Sequence, residues 1–503
     1  MKTKTTQTPA AARHLPRSFA RGLVAVGAVL LTFSAASQPF PTPPPPAAPR
    51  PVAIATPSEA RLANGLRVVV ARREGVPLVT ASLVALSGAE ADPPQLAGLA
   101  SMSAALLTQG TRHRSAPQIA AAAEALGGSL DSGAGWNQST VSITVTTPRL
   151  GAALGLVAEV ATEPVFATEE LDRLRTQTLD GLKVAYASPG VLAGIVAERL
   201  AYGSGAYGHP AGGTPQSLPR IVRGDLVALH RQTFRPDNAV LILAGDIDAR
   251  TGLALARTHF GAWKAPADAL APAVAATAAA ISASTPTAAI VDMAKSGQAA
   301  VVVVLAMPPR SSQETAVAAV LNGVLGGGYS SRLGQEIRIK RGLSYGASSG
   351  MEPRRDAALL RVVVQTKNES AAEVLRLAQA ELDGLVAAPV GADELAARKA
   401  TLIGNLSRNL ETTQGLASAI RGLVVTNRSP AELNTRIATL SAVDASEIQA
   451  YAAAHIGGAS RRVVVVAGEA AVFGAELKAA QPGIVTIPAS GIDLERNGAV
   501  DGR

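Results

Sequence analysis

Apolar and polar positions alternate, run together or recur at helical spacing along this chain, and each pattern predicts an element. "ARLANGLRVVVARR", residues 60–73, reads as two short strands around Asn64-Gly65, the commonest pair in a type I′ hairpin. "VPLVTASLVAL" continues as strand, and "STVSITVTT" alternates as a half-buried one. "SAPQIAAAAEALGG" predicts a helix capped by Ser115, with a proline in its first turn and Gly127-Gly128 at its end. Long helical stretches follow at about 167–186 and 189–202, and the unbroken apolar run "AVLILAG" predicts a buried strand.

The pattern then repeats. "EELDRLRTQTLDGL" from Glu169 matches "DELAARKATLIGNL" from Asp393, and "GDLVALHRQTF" matches "SEIQAYAAAHI". "VLILAGDID", holding Gly245, likewise matches "VVVVAGEAA", holding Gly468. The three pairs keep their order at an offset of about 220 residues, which predicts an internal duplication. "KAPADALAPAVAATAAAISASTPTAA" separates the halves as an Ala/Pro linker. The fold expected is α+β: two tandem homologous domains, each a mixed sheet with helices packed on one face. The boundaries read as a first domain at 55–263, a linker at 264–289, a second domain at 290–475 and a tail at 476–503.

Composition changes this picture only at the N-terminus. Of 503 residues, 48% are hydrophobic and 17% charged, as in a globular protein. The net charge is +8, but Lys2, Lys4, Arg13, Arg17 and Arg21 fall in a first 37 residues that contain no acid. The remaining charge is too small and scattered for a nucleic-acid binder. Those basic residues precede "GLVAVGAVLLTFSAAS", too short for a stable membrane span, so 1–37 reads as a signal peptide or, alternatively, an uncleaved anchor. A Pro-rich leader follows at 38–54, and the chain has no cysteine. A periplasmic location is the expectation.

One helix lacks what its surroundings announce. "GLASMSAALLTQGT", residues 98–111, "RPDNAVLILAGDID" and "SSRLGQEIRIKRGLSYG" together resemble the pitrilysin/insulinase zinc peptidases, the inverzincins. The likeness runs from about residue 55 to 470 and implies a LuxS/MPP-like metallohydrolase fold. In active members this helix carries H-x-x-E-H, two zinc-binding histidines one turn apart and a glutamate acting as general base. Here the matching positions are Ser101, Ala104 and Ala105, and the distal acidic ligand falls at Gly181, beside Asp180. The six histidines (His14, His113, His209, His230, His259, His455) are scattered singly and read as surface or packing residues. The resemblance therefore implies no catalytic residue in the chain's own zinc motif, no metal and no cofactor.

The second half retains a different part. The resemblance implies that its Arg and Tyr, seven residues apart, reach substrate at the zinc; here they are Arg338 and Tyr345. An Arg presents a fixed fork of donors to peptide carbonyls, and a Tyr hydroxyl can donate to a developing oxyanion. From spacing alone, Arg338 could instead pair with Glu336, and Tyr345 could pack at a sheet edge. Arg332 reads as structural, Arg341 as a solvated helix-end charge, and "GGGYSSR" as a turn rather than a phosphate loop. Trp136 and Asn137 lie near an edge-strand region where a peptide could add itself as a strand.

The expected function is that of a non-catalytic, Arg/Tyr-bearing subunit of a two-chain periplasmic zinc metallopeptidase. Its partner would be a homologous H-x-x-E-H subunit holding the zinc, and the pair would act on peptides. The alternative is a peptide-binding or scaffold pseudopeptidase with no hydrolytic role. A hydrolase with a relocated metal site is the weakest reading, since no ligand cluster is visible.

Overall fold

The computed structural model describes residues 55–270, 285–307, 309, 311–458, 462–492 and 494. The segments read as signal peptide and leader, most of the expected linker and the last residues of the tail lie outside the described residues. The first half contributes β1 (Ser58–Arg61), β2 (Arg67–Arg72), β3 (Leu78–Ala85), β4 (Leu130–Ala134), β5 (Ser139–Thr146) and β6 (Ala239–Gly245). They line up as β1-β2-β6-β3-β5-β4. The second half contributes β7 (Ala288–Asp292), β8 (Ala299–Met307), β9 (Ala347–Pro353), β10 (Ala358–Thr366), β11 (Arg462–Gly468) and β12 (Val485–Pro488). Their order is β12-β7-β11-β8-β10-β9. Five strands correspond in place and direction: β2 runs parallel to β6 as β7 does to β11, and the next three pairings are antiparallel in both sheets. The sixth differs, for β1 is antiparallel to β2 whereas β12 is parallel to β7.

Helices of the first half are α1 (Leu99–Leu106), α2 (Ala116–Ala125), α3 (Leu150–Thr162), α4 (Thr168–Tyr186), α5 (Pro189–Tyr202), α6 (Arg223–Thr233) and α7 (Ala249–Phe260). Those of the second are α8 (Ser312–Leu325), α9 (Ala371–Ala387), α10 (Ala392–Leu410), α11 (Thr413–Val425), α12 (Arg436–Ala442), α13 (Ala445–His455) and α14 (Ala470–Ala480). A π-helical turn spans Gly334–Lys340. This is the mixed-sheet, two-domain architecture the sequence predicts.

The unbroken apolar strands explain how the halves are joined. Leu241 and Leu243 of β6 face the first half's own helices, while Val240, Ile242 and Ala244 face away, against Leu416, Ile420 and Leu423 of α11. In the second sheet, Val301, Val303 and Leu305 of β8 face that half's core, and Val302 and Val304 meet Leu192, Val196 and Leu200 of α5. Each half thus lends one helix to the far face of the other's sheet. A strand covered on both sides has no use for polar alternation, so it reads as a continuous hydrophobic run. The exchange follows from a bend: α4 and α5 meet at 99°, with Pro189 opening the second helix. Where the halves meet, Arg354 is fully enclosed, its guanidinium 4.3 Å from Trp136 and 4.9–5.0 Å from Tyr207 and Tyr202. Glu198 of α5 ion-pairs with it at 3.2 Å.

Three local expectations change. The β1/β2 connection is not a two-residue I′ turn. The Leu62 N–H donates to Leu66 O and the Gly65 N–H to Leu62 O, closing a three-residue turn. Gly65 is left-handed at φ 97°, and Asn64 leaves the turn to donate to Phe260 O and Trp263 O. The second domain begins two residues inside the expected linker, since β7 opens at Ala288. The segment from 476 onward is more than a tail. It completes α14 and supplies β12, because the edge of β7 needs backbone partners. Among the described residues no single helix is long and apolar enough to cross a membrane.

Candidate functional site: a zinc-motif helix without ligands and an Arg–Tyr cluster

Helix α1 is built as carefully as a ligand-bearing helix would need. Gly98 enters it at φ 92°, and a Cβ there would sit 2.7 Å from Gly213 Cα, so only glycine fits. The Asp92 carboxylate accepts from the Gly98 and Ala100 N–H groups, both at 2.8 Å, satisfying donors that a helix start leaves open. Burial pushes the Asp92 carboxyl up to about 8, and those backbone donors oppose the rise. Neighbouring Glu90 is also buried and pushed up to about 7, with Arg355 acting in the opposite direction.

The positions that matter chemically are bare. Ser101 donates its hydroxyl to Ala211 O at 2.7 Å. Ala104 is buried and Ala105 partly exposed. Gly181 lies on α4, which packs against α1, and a Cβ added there would meet nothing within 4 Å. Asp180 beside it is ion-paired with Lys183 at 2.8 Å. One hydroxyl already donating, two methyls and a glycine do not fit a zinc ion, which takes nitrogen, sulfur or carboxylate donors. Among the described residues no group of three or more His, Asp or Glu could hold a metal. His113 pairs with Glu163 at 3.0 Å, and His230 bonds Ala161 O at 2.8 Å while stacking on Phe234.

The structure brings Arg338 and Tyr345 together and adds a third residue. The Arg338 guanidinium lies 4.5 Å from the Tyr345 ring centre and 4.6 Å from that of Tyr329, on the turn between α8 and the π-helical turn. A cation between two aromatic faces is held in place without a carboxylate. Glu336, the alternative partner suggested by spacing, bonds Lys340 at 2.9 Å and pairs with Arg341. Those bonds hold its carboxyl below the usual range, Lys340 foremost. Arg341 is thus ion-paired rather than merely solvated, and Arg332 pairs with Glu394 at 2.9 Å.

Tyr345 is not packed at a sheet edge: it is 87% exposed, and Tyr329 is 63% exposed. Its backbone is nevertheless fixed. Buried Ser344 donates to Gln365 O at 2.5 Å and accepts from Gly346 N–H at 3.0 Å, and Thr366 donates to Leu343 O at 2.6 Å. The turn is close-packed too, since a Cβ on Gly326 would lie 2.3 Å from Ser349 N. π-Helical turns recur at functional sites, and this one sets Arg338 between the two rings. Sequence reasoning missed Tyr329 by reading "GGGYSSR" only as a glycine turn. Trp136 and Asn137 belong to the junction between the halves: Asn137 is buried and bonds the Tyr207 hydroxyl and the Arg355 N–H.

Residues 67–200 match the family described as insulinase (peptidase family M16), and residues 220–402 match the peptidase M16 inactive domain. The chain belongs to the insulinase family. It is similar to an uncharacterized zinc protease of Streptomyces coelicolor, 27% identical over 405 residues, 79% of this chain and 87% of that protein. An uncharacterized zinc protease of Mycobacterium tuberculosis is 28% identical over 374 residues, 74% of this chain and 84% of that one. Among solved structures, a peptidase M16 inactive domain from Pseudomonas fluorescens superposes with a TM-score of 0.75 at 25% identity, over 82% of this chain and 98% of that one. A protease from Helicobacter pylori shares the fold, with a TM-score of 0.76 at 19% identity over 83% and 100%. This insulinase-family chain is peptidase-like, of the inactive type.

Proposed function

We propose that this chain is the non-catalytic, Arg/Tyr-bearing subunit of a two-chain periplasmic zinc peptidase. Its partner would be a homologous subunit whose H-x-x-E-H helix holds the zinc that this chain does not. The observation carrying the reading is the contrast between two helical segments. At the zinc-motif positions every ligating atom is missing or already donating, whereas Arg338 is held between two tyrosines with Tyr345 turned outward.

In this reading Arg338 donates to a carbonyl of the bound peptide, and the Tyr345 hydroxyl donates to the oxyanion formed at the scissile carbon. The edge strand β4 offers main-chain groups on which an extended peptide can pair with little demand on its sequence. The basic, acid-free start followed by a short apolar run supports export.

The test uses the full chain, alone and mixed with an exported H-x-x-E-H homologue from the same host. Alone it takes up no stoichiometric zinc and cuts no peptide; the mixture cleaves. Within the mixture, Tyr345→Phe or Arg338→Ala lowers cleavage by about ten- to a thousandfold, the range for losing one oxyanion donor. Full-speed cleavage by either variant refutes the assigned role. A peptide-holding complex that never hydrolyses leaves a scaffold function instead.

A further inference from the structure

A cavity of about 530 Å³ lies at the seam of the two halves, and neither the zinc-motif positions nor the Arg338 cluster line it. Its walls come from the segment before α1, from α6, and from second-half residues Arg355 and Asn427. Leu86, Leu96, Leu99 and Leu229 make most of the lining apolar. The volume falls within the roughly 300–1,000 Å³ of small-molecule sites, which pair apolar walls with a few placed polar groups.

Three charged side chains border the space: Glu90, Arg355 and Asp225. Glu90 and Arg355 are almost wholly enclosed and lie 3.6 Å apart, so with Glu90 ionised they offset each other. Arg355 is occupied further, donating to Leu86 O at 2.6 Å and to Asn137 O at 3.2 Å. Asp225, in the first turn of α6, stands apart. Its Oδ2 accepts from the Val222 N–H at 2.9 Å, which fixes the carboxylate at the helix start. Its Oδ1 has no partner among the described residues, and no cation there pairs with it. Arg223 donates instead to Val165 O and Phe166 O, and Arg231 of the same helix pairs with Asp268 at 2.7 Å. The lining therefore carries one uncompensated negative charge beside a bed of leucines.

We infer that this cavity binds an organic cation, its apolar body among the four leucines and its ammonium group on the Asp225 carboxylate. An ammonium donates charge-assisted hydrogen bonds to a carboxylate, whereas an acid there would meet like charge. Because both halves line the site, an occupant bridges them and stabilises the folded chain in proportion to its saturation. None of this depends on the peptidase reading.

The probe is dansylcadaverine, a naphthalene sulfonamide on a pentyl chain that ends in a primary amine. It is titrated into the full chain and followed by fluorescence, above the value of about 7 to which burial lifts the Glu90 carboxyl. Saturable one-site binding with blue-shifted emission is expected. N-pentyl dansylamide, which keeps the chain and lacks the amine, binds about two- to fivefold more weakly, the worth of an ion pair open to water on one side. The corresponding dansyl amino acid, ending in a carboxylate, binds more weakly still. Asp225→Asn keeps an acceptor for the Val222 N–H and abolishes the preference for the amine. Ala228→Trp, at an exposed position of α6 that borders the cavity, blocks all three compounds. Absence of saturable binding, equal affinity for amine and neutral analogue, or a preference that survives Asp225→Asn overturns the inference. So does unchanged binding to Ala228→Trp of native circular dichroism. The comparison of compounds on the parent chain needs no variant to fold.

Discussion

If each half lends a helix to the other's sheet, damage to α11 should be felt in the first half, and Ile420→Ala measures this. Ile420 is fully buried, belongs to the second half in sequence, and packs against Val240, Ile242 and Ala244 of β6. Truncating a fully buried isoleucine costs about 2–5 kcal/mol, the transfer free energy plus that of the cavity left behind. The reporter is already in place. The chain has two tryptophans, and Trp263 packs on the first half's own core beside Phe260, with ring centres 6.3 Å apart. In a Trp136→Phe background, urea unfolding followed by Trp263 fluorescence and by far-UV circular dichroism should give coincident transitions. Ile420→Ala should lower both together by that amount. A Trp263 midpoint that stays put while the dichroism curve splits would show that the first half stands without α11, and the argument from two-sided burial would fail.

Further outcomes follow from the same geometry. Glu90 is pushed up to about 7 in the folded chain, so the folded state holds a proton that the unfolded state has released. Its contribution to stability is therefore full below about pH 4.5 and lost as pH rises toward 7, at most about 3 kcal/mol. Glu90→Gln should flatten that part of a stability-versus-pH curve measured by urea titration. Gly98→Ala forces a Cβ to 2.7 Å from Gly213 Cα at a left-handed position, and should destabilise by about 1–3 kcal/mol in thermal unfolding. In the proposed two-chain peptidase, Tyr329→Ser removes one of the two rings holding Arg338 and should lower cleavage about two- to fivefold, with Tyr329→Phe restoring it. Equal rates for the serine and phenylalanine variants would remove Tyr329 from the site.

How far the chain could be read depended on whether a feature was local. Helix α2 showed itself through Ser115, its proline and the two closing glycines, and the Ser115–Gln118 capping box is where that reasoning puts it. The resemblance to the insulinase peptidases placed the zinc-motif positions at Ser101, Ala104, Ala105 and Gly181, and residue type alone then says that those side chains carry no nitrogen, sulfur or carboxylate donor. Arg338 and Tyr345 were singled out by their phrase, and the structure brings their side chains together. Tyr329 was not singled out, because its ring meets Arg338 only after the turn at Gly326 folds back on β9. The Asn64-Gly65 turn was misread by one residue because Asn64 answers to Phe260 and Trp263, nearly two hundred positions away.

Periodicity set the strands and most of the helices, and repeated phrases the two-part plan, since each rests on residue types and short-range sterics; the want of ligands on α1 was read from the resemblance to the insulinase peptidases. Periodicity could not say what lies on the far side of a strand. "AVLILAG" announces burial on both faces, yet only the folded chain shows that one face belongs to helices of its own half and the other to α11. The cage around Arg354, the Glu90–Arg355 seam and the cavity beside it arise in the same way. They join groups far apart in the chain, where apolar area and buried charge are matched in space and no local pattern of residues encodes the match.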